Sequence, residues 1–307
     1  MKNDAPFLSV VIPFHNEQGN LQLLVDELLH VLKATNRTYE IILVDDGSKD
    51  ASLSIANKLA VNYTEVKCIE LTRNFGQEKA ILAGLEYASG EVIVTMDSDL
   101  QHPPACIPLL IEKFEEGYDV VNTSRIDKES GWFKRQLIKL FYKVINLISG
   151  TNMPVSSFNF KLISRQFLDE FLKLKETNRF DRGLIEWLGF KQCYLEYHAN
   201  QRHTGTSNYS FFKLIFRAVD SITAYSTRLL RFFFFIGIIA FIASSIASIY
   251  IFATKSSIYG MDHYVLIFIL LLAGLQLLII GILCEYIRNI YKEVKRRPHY
   301  VIKNIIN

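Results

Sequence analysis

The sequence predicts an α/β fold: a mainly parallel sheet with helices on both faces, followed by amphipathic interface helices and two transmembrane helices. Three observations carry that expectation. Short apolar, β-branched runs alternate with helical patterns through the first 125 residues. Each run ends in a cluster of polar residues. Two nearly uncharged stretches of membrane-spanning length lie towards the C-terminal end.

The first strand is "LSVVIPF", and the helical pattern that follows, over residues 18–33, places Leu21, Leu24, Val25, Leu28, Leu29 and Leu32 on one face. "YEIILVDD" reads as the second strand, with Ser48 or Asp50 placed to cap the next helix. "VKCIEL" is the third, followed by a helix through "EKAILAGLEYA". "EVIVTMD" is the fourth, with a helix starting near Pro104, and "YDVVNTS" is the fifth. Continuously apolar strands indicate a mainly parallel sheet buried on both faces.

Residues 128–150 form a basic amphipathic stretch, suited equally to a membrane interface and to ordinary packing. In residues 207–228, Phe211, Leu214, Ile215, Ala218, Val219 and Ile222 share one side, as expected of a headgroup-level helix leading into a span. The first span, Leu229 to Ala253, carries only Arg231, and the second, Tyr264 to Tyr286, only Glu285. Each meets the ~20 residues a membrane helix requires. Arg228, Arg231 and the segment "RNIYKEVKRRPHY" flank the spans, whereas the loop between them carries Lys255 and one acid. The basic flanks place both termini in the cytoplasm. No apolar segment precedes the globular part, so that domain is expected to stay unexported. The expected organisation is a cytoplasmic domain over residues 1–206, an amphipathic helix over 207–228, a two-helix membrane domain over 229–287 and a basic tail over 288–307.

A net charge of +3 is too small to suggest nucleic acid as a partner. The four cysteines form no C-x-x-C pair, which suggests neither a disulfide framework nor a zinc site. The first β-α turn has no G-x-G-x-x-G, and no G-x-x-x-x-G-K-[ST] occurs, which argues against dinucleotides and P-loop hydrolysis.

In parallel sheets, ligands bind beyond the carboxyl ends of the strands. The polar clusters "PFHNE", "DDGS", "TRNFGQ", "DSDLQ" and "SR" follow the five strands, so one rim is expected to receive them all. Asp97 and Asp99 stand two positions apart where the fourth strand gives way to a loop. Two adjacent carboxylates disfavour each other's ionised form unless a cation lies between them. With the amide oxygen of Gln101 they supply the hard ligands that Mg²⁺ or Mn²⁺ takes, usually together with water and a substrate diphosphate. The acids of "DDGS" suit hydrogen bonds to a base or ribose. Arg73, Arg125, Arg135 and Arg202 are available to pair with phosphates.

Taken together, "VVIPFHNE", "EIILVDDGSKD", "RNFGQ", "MDSDLQHPP", "GYDVV", "FDRGLIEWLGF", "RHTGTSNYS" and "EYIRNIYKEVKRRPHY" resemble the polyprenyl-phosphate glycosyltransferases of glycosyltransferase family two. That group includes dolichol-phosphate mannose synthases, bactoprenol glucosyltransferases and undecaprenyl-phosphate aminoarabinose transferases. The likeness covers essentially the whole chain, in order. It implies a GT-A type, Rossmann-like mixed sheet and a membrane-bound homo-oligomer, a tetramer by family precedent. The implied partners are a nucleotide-sugar donor and a polyprenyl phosphate.

The resemblance implies that Pro13, His15 and Glu17, with Asp45, Asp46, Gly47, Arg73 and Asn74, hold the nucleotide-sugar together with Asp97. It makes Asp97, Asp99 and Gln101 the metal and diphosphate ligands. Arg125, Arg135 and Arg202 would stabilise phosphate charge, and Lys134, Asn159, Lys161 and Ser207 would line the acceptor side. The sequence departs from the family in several places. His15 stands for the usual tyrosine, His102 and Ala105 for frequent acids, and Asn208 for a common lysine. The family's G-D-F-R segment is here "FNFK", so its suspected catalytic acid is Asn159.

Asn159 constrains the acceptor. A sugar hydroxyl would need a general base to take its proton. A lipid monophosphate, with a second pKa of ~6, is already largely dianionic at neutral pH. The expected reaction is therefore inverting transfer of one sugar to polyprenyl phosphate at the cytoplasmic membrane face. UDP-glucose is the favoured donor, and GDP-mannose, a UDP-N-acetylhexosamine and a UDP-aminoarabinose remain open. A processive polysaccharide synthase would show Q-x-x-R-W and further spans, and neither is present. A non-catalytic nucleotide-sugar sensor would show a broken metal motif, but both acids are intact.

Overall fold

β1 (Leu8–Phe14) lies inside the sheet, parallel to both β2 (Tyr39–Asp45) and β4 (Val92–Thr95). The computed structural model describes residues 5–125, 157–174, 176, 181–197 and 261–307, with helical positions 236, 239, 242 and 246. β3 (Val66–Leu71) adds to β2 in parallel. On the other side, β6 (Ser157–Ser164) runs antiparallel to β4 and to β5 (Val120–Arg125), and β7 (Gln192–Tyr197) joins β5 in parallel. With β8 (Ile302–Ile306) at one edge, the order across the sheet is β7-β5-β6-β4-β1-β2-β3-β8, so the expected mixed, mainly parallel α/β sheet is present.

The apolar runs are continuous because both faces are covered. Val10, Ile12, Ile41 and Leu43 point to one face, where Leu24 and Leu28 of α1 (Leu21–Ala34) complete a cluster with α2 (Ser52–Asn62) and α4 (Ile107–Glu115). Val11, Ile42 and Val44 point to the other. There Ala80 and Ala83 of α3 (Gln77–Tyr87), Phe167 of α5 (Arg165–Lys173) and Leu184 of α6 (Asp181–Leu188) cover them. Cys68 is a core residue whose thiol is pushed up to about 12 by burial and by Asp45 and Glu70, as suits packing rather than chemistry.

Two features differ from the expectation. Residues 302–306, read as part of a basic tail, form β8 (Ile302–Ile306), antiparallel to β3 at the sheet edge. The strand is short, and Lys303 reaches Glu70 at 2.7 Å, so its pairing depends on a partner distant in sequence. Asn307 then donates its amide to the carbonyls of Thr64 and Val66.

The second difference concerns the membrane segments. α7 (Met261–Lys295) holds the second expected span inside a longer helix, about 52 Å at 1.5 Å per residue. Among the described residues it is the one helix long and apolar enough to cross a membrane, with mean hydropathy 1.4 over Leu272–Lys295. Ile269, Ile280, Leu283, Ile287 and Ile290 are exposed along it, unlike the core helix of a soluble protein. Most of the first expected span lies outside the described residues. Its described positions, Ile236, Ile239, Ile242 and Ile246, are helical, and the last three are exposed. The stretches 128–150 and 207–228 also lie outside.

Candidate active site

Strand polarity gathers the polar clusters. β1, β2, β3 and β4 are mutually parallel, so their carboxyl ends share one rim. β5 is antiparallel to β6, which is antiparallel to β4, so β5 points the same way and Arg125 closes it at that rim. The antiparallel β6 brings its amino end there, with Asn159 beside the metal motif.

Backbone groups are tied to side chains across the first two loops. The Asn16 N–H donates to the Ser48 hydroxyl at 3.0 Å, and Asn16 Oδ1 accepts the Lys49 N–H at 2.8 Å. Ser52 Oγ accepts the Glu17 N–H at 2.7 Å, and Glu17 Oε2 accepts the Asn20 amide. His15 donates from Nδ1 to the Asp46 carbonyl at 2.9 Å, and its Nε2 accepts from the Asn16 amide at 3.1 Å. A carbonyl only accepts, so the Nδ1–H tautomer follows. Pro13 is buried in β1 opposite Val44.

The paired acids of "DDGS" are engaged inward. Asp45 is fully buried and accepts the Ser48 N–H at 3.0 Å; burial holds its carboxyl above the ordinary value, against the Ser48 donors. Asp46 clasps the next loop, accepting the N–H groups of Phe75 at 2.6 Å and Gly76 at 2.9 Å. Both were expected to meet the nucleotide; in this structure their carboxylates hold backbone. Gly47 adopts φ +70, and a Cβ there would lie 2.6 Å from backbone atoms of Arg73 and Asn74, so the two loops touch only because it is glycine. Arg73 and Asn74 are exposed at that contact, with the Arg73 guanidinium 4.1 Å from the Phe75 ring centroid.

The metal motif completes the rim. Asp97 Oδ1 accepts the Gln77 amide at 2.5 Å, and Oδ2 accepts from Asn159 Nδ2 at 3.4 Å. Asp99 Oδ1 accepts the Gln101 N–H at 3.2 Å, and Leu100 between them sits at φ +61 with its side chain buried. Bulky residues rarely adopt that conformation, and such strain clusters at functional sites. Among the described residues, no group of three or more His, Cys, Asp or Glu is arranged to hold a metal. An ion here would take oxygens from Asp97, Asp99 and Gln101 and complete its shell from diphosphate and water. That donor set fits Mg²⁺ or Mn²⁺.

Lys161 is buried in β6, opposite Thr95 and Asn122 in register. Lys134, Arg135, Arg202 and Ser207 lie outside the described residues. Gln77 was missed as a site residue; its signal was its place at the end of "TRNFGQ", on the same rim as the acids.

Residues 9–172 match the model of glycosyl transferase family 2. The chain is 37% identical over 302 residues to the bactoprenol glucosyl transferase of Shigella phage SfV, covering 97% of this chain and 98% of that one. It is 37% identical over 303 residues to the uncharacterized glycosyltransferase YkcC of Bacillus subtilis, covering 96% and 93%. Glucosyl-3-phosphoglycerate synthase from Mycobacterium tuberculosis, solved with Mn²⁺, uridine diphosphate and phosphoglyceric acid, shares the fold. Its TM-score is 0.52 at 17% identity, over 73% of this chain and 78% of that one. Matched over more than half its length by the family model, and over nearly all of it by such relatives, the chain is a glycosyltransferase and belongs to glycosyl transferase family 2.

Proposed function

We propose that this glycosyltransferase moves one hexose, with inversion, from a nucleotide-sugar to polyprenyl phosphate at the cytoplasmic face of a membrane. The observation that carries the reading is where α7 meets the sheet. β8 pairs antiparallel with β3, with Ile302 opposite Leu71 at the rim end of the strand. Only residues 296–301 separate it from the end of α7, a reach of about 25 Å at most. The membrane-crossing candidate therefore ends within that reach of the rim end of β3, which supports an acceptor phosphate at a bilayer surface on the same side of the domain as Asp97.

The proposed reaction needs no base. A phosphate oxygen of the lipid forms a bond to the anomeric carbon as the bond from that carbon to the nucleotide diphosphate breaks, with its electron pair leaving on the diphosphate. A divalent ion, when bound by Asp97, Asp99 and Gln101, supplies stabilisation of that leaving charge. Arg125, Arg135 and Arg202, with Lys134, Lys161 and Ser207, are the residues proposed to meet phosphate. Arg73 and the loops of His15 and Asp46 are proposed to border the nucleotide.

UDP-glucose and undecaprenyl phosphate are the first pair to test, since relatives of 36–37% identity over nearly the whole chain are named bactoprenol glucosyl transferases. Two spans, a cytoplasmic domain over 1–206 and a homo-oligomer complete the proposal. Membranes containing the protein are incubated with labelled nucleotide-sugars, with and without polyprenyl phosphate. Label extracted into chloroform–methanol only when the lipid is added supports the reading; an insoluble polymer, or no product from any donor, overturns it.

A further inference from the structure

We infer that His102 is a positioning residue, holding Asp97 by its backbone N–H so that its carboxylate faces the metal position; this rests on the metal-dependent reading above. Nδ1 of His102 accepts the Asp97 N–H at 3.0 Å. A backbone N–H can only donate, so Nδ1 carries no proton and the neutral ring bears its proton on Nε2. Nε2 faces Asp97 Oδ2 at 3.8 Å. Both nitrogens therefore turn to the same residue, five positions earlier in the chain.

The ring is itself fixed from behind. It stacks on Phe160 of β6, with centroids 5.1 Å apart and planes 13° from parallel, and meets the edge of Tyr197 of β7 at 6.0 Å. Phe160 and Tyr197 pack edge-on at 5.6 Å, so three rings from three elements form one block. His102 is only 4% exposed, so it is placed to hold the loop rather than to face solvent. Between the two residues the chain passes through Leu100 at φ +61. A loop held in that conformation needs a clamp at both ends. The Asp97–His102 contact closes it, and the aromatic block ties the closure to the sheet. Residues that orient metal ligands in this way typically change metal affinity about 10–100-fold when removed.

The test uses the full-length protein in nanodiscs loaded with UDP, titrated with Mn²⁺ and read by electron paramagnetic resonance. His102→Phe keeps the aromatic block and removes the acceptor that holds the Asp97 N–H. His102→Asn loses the ring but offers an amide oxygen where Nδ1 accepts. The Phe variant is expected to bind Mn²⁺ about 10–100-fold more weakly, with UDP affinity in chelator unchanged. The Asn variant is expected to stay within about threefold of wild type. The reverse order, or wild-type affinity in the Phe variant, makes His102 a packing residue and overturns the inference. If the Phe variant does not fold, the Asn variant decides: retained affinity supports the inference, and lost affinity in a folded Asn variant overturns it. Wild-type protein that binds no Mn²⁺ overturns the metal reading itself, and this inference with it.

Discussion

Gln77 donates its side-chain amide to Asp97 Oδ1 at 2.5 Å, joining the loop after β3 to the loop after β4 across 20 positions of sequence. The donor is well placed because Gln77 opens α3, just after the Phe75 and Gly76 N–H groups that Asp46 clasps. Two sets of hydrogen bonds thus meet at the start of α3: His15, Phe75 and Gly76 on Asp46, and Gln77 and Asn159 on Asp97. Gln77→Ala is expected to lower kcat/KM about tenfold, the equivalent of about 1.4 kcal/mol for one charge-assisted hydrogen bond. Gln77→Glu is expected to cost more, because it sets a second carboxylate against Asp97. Steady-state transfer assays at saturating metal, with thermal melts as a check on folding, measure both.

Asn159 donates to the other oxygen of the same carboxylate. An aspartate there donates only when protonated, and when ionised it repels Asp97. Asn159→Asp is therefore expected to leave the rate at saturating Mg²⁺ within about threefold, while lowering the metal concentration needed for half-maximal rate, because a bound cation relieves the added repulsion. Metal titrations of the transfer rate decide. A rise in rate of several orders of magnitude at every metal concentration makes residue 159 a missing base and counts against the lipid-phosphate acceptor.

Gly47 lets two loops touch. Gly47→Ala meets a left-handed backbone that costs about 1–2 kcal/mol for an L-residue, and its Cβ runs into the backbone of Arg73 and Asn74 at 2.6 Å. Backbone has little room to yield, so the loops must part. The variant is expected to lose thermal stability and to bind UDP at least about tenfold more weakly, read by differential scanning fluorimetry and calorimetric titration.

How far the sequence revealed this arrangement depended on what each element buries. β1 to β5 were legible because strands covered on both faces are continuously apolar, as in Val10, Val11 and Ile12. β6 was not, since it carries Asn159 and the buried Lys161 within its apolar pattern. β7 alternates exposed Tyr194 and Glu196 with half-buried partners, and β8 carries Lys303 and Asn304 within its five residues; both pair with strands far away in sequence. The acids of the rim were legible by their position after strands. Their hydrogen-bond partners were not, because local pattern cannot show that Asp46 turns to the Phe75 and Gly76 N–H groups or that Gln77 reaches Asp97.

At the opposite end of the sheet, Glu40 is 5% exposed and accepts from Ser9 Oγ at 2.6 Å, from Ser89 N–H and Oγ at 2.7 Å each, and from Lys67 Nζ at 2.7 Å. Burial alone would raise its pKa, but the Lys67 ammonium and the Ser9 and Ser89 donors outweigh it and hold the carboxyl below 4.5. A lowered folded pKa gives stability that is present above the unfolded value and lost as pH falls through the folded one. Glu40→Gln, left with one acceptor oxygen for four donors, is expected to cost about 3 kcal/mol at pH 7. The gap to wild type should narrow below about pH 4.5, as wild-type Glu40 protonates. Chemical denaturation at pH 7 and pH 3.5 measures it; a gap independent of pH means the carboxylate charge is not what Lys67 and the serines hold.

β8 ties α7 to the sheet, and removing it should separate binding from transfer. Stopping the chain after residue 300 deletes the pairing of Ile302–Ile306 with β3 and the Asn307 clasp, but leaves the Tyr300 hydroxyl donating to Glu86. Cys68 and Ile69 sit in the layered core, held by β2 and both helical faces, so the domain keeps its main packing and exposes one strand edge. UDP binding by the shortened protein is expected to stay within about threefold of wild type, since the rim loops lose only the Thr72 N–H bond to the Val301 carbonyl and keep the clasp of Asp46 on Phe75 and Gly76. Transfer to polyprenyl phosphate in nanodiscs is expected to fall at least about tenfold, because the rim is no longer held at a fixed distance from the end of α7 and orientation is lost. Parallel loss of UDP binding and transfer would make β8 a stability element alone; full transfer would show that α7 orients the rim without it.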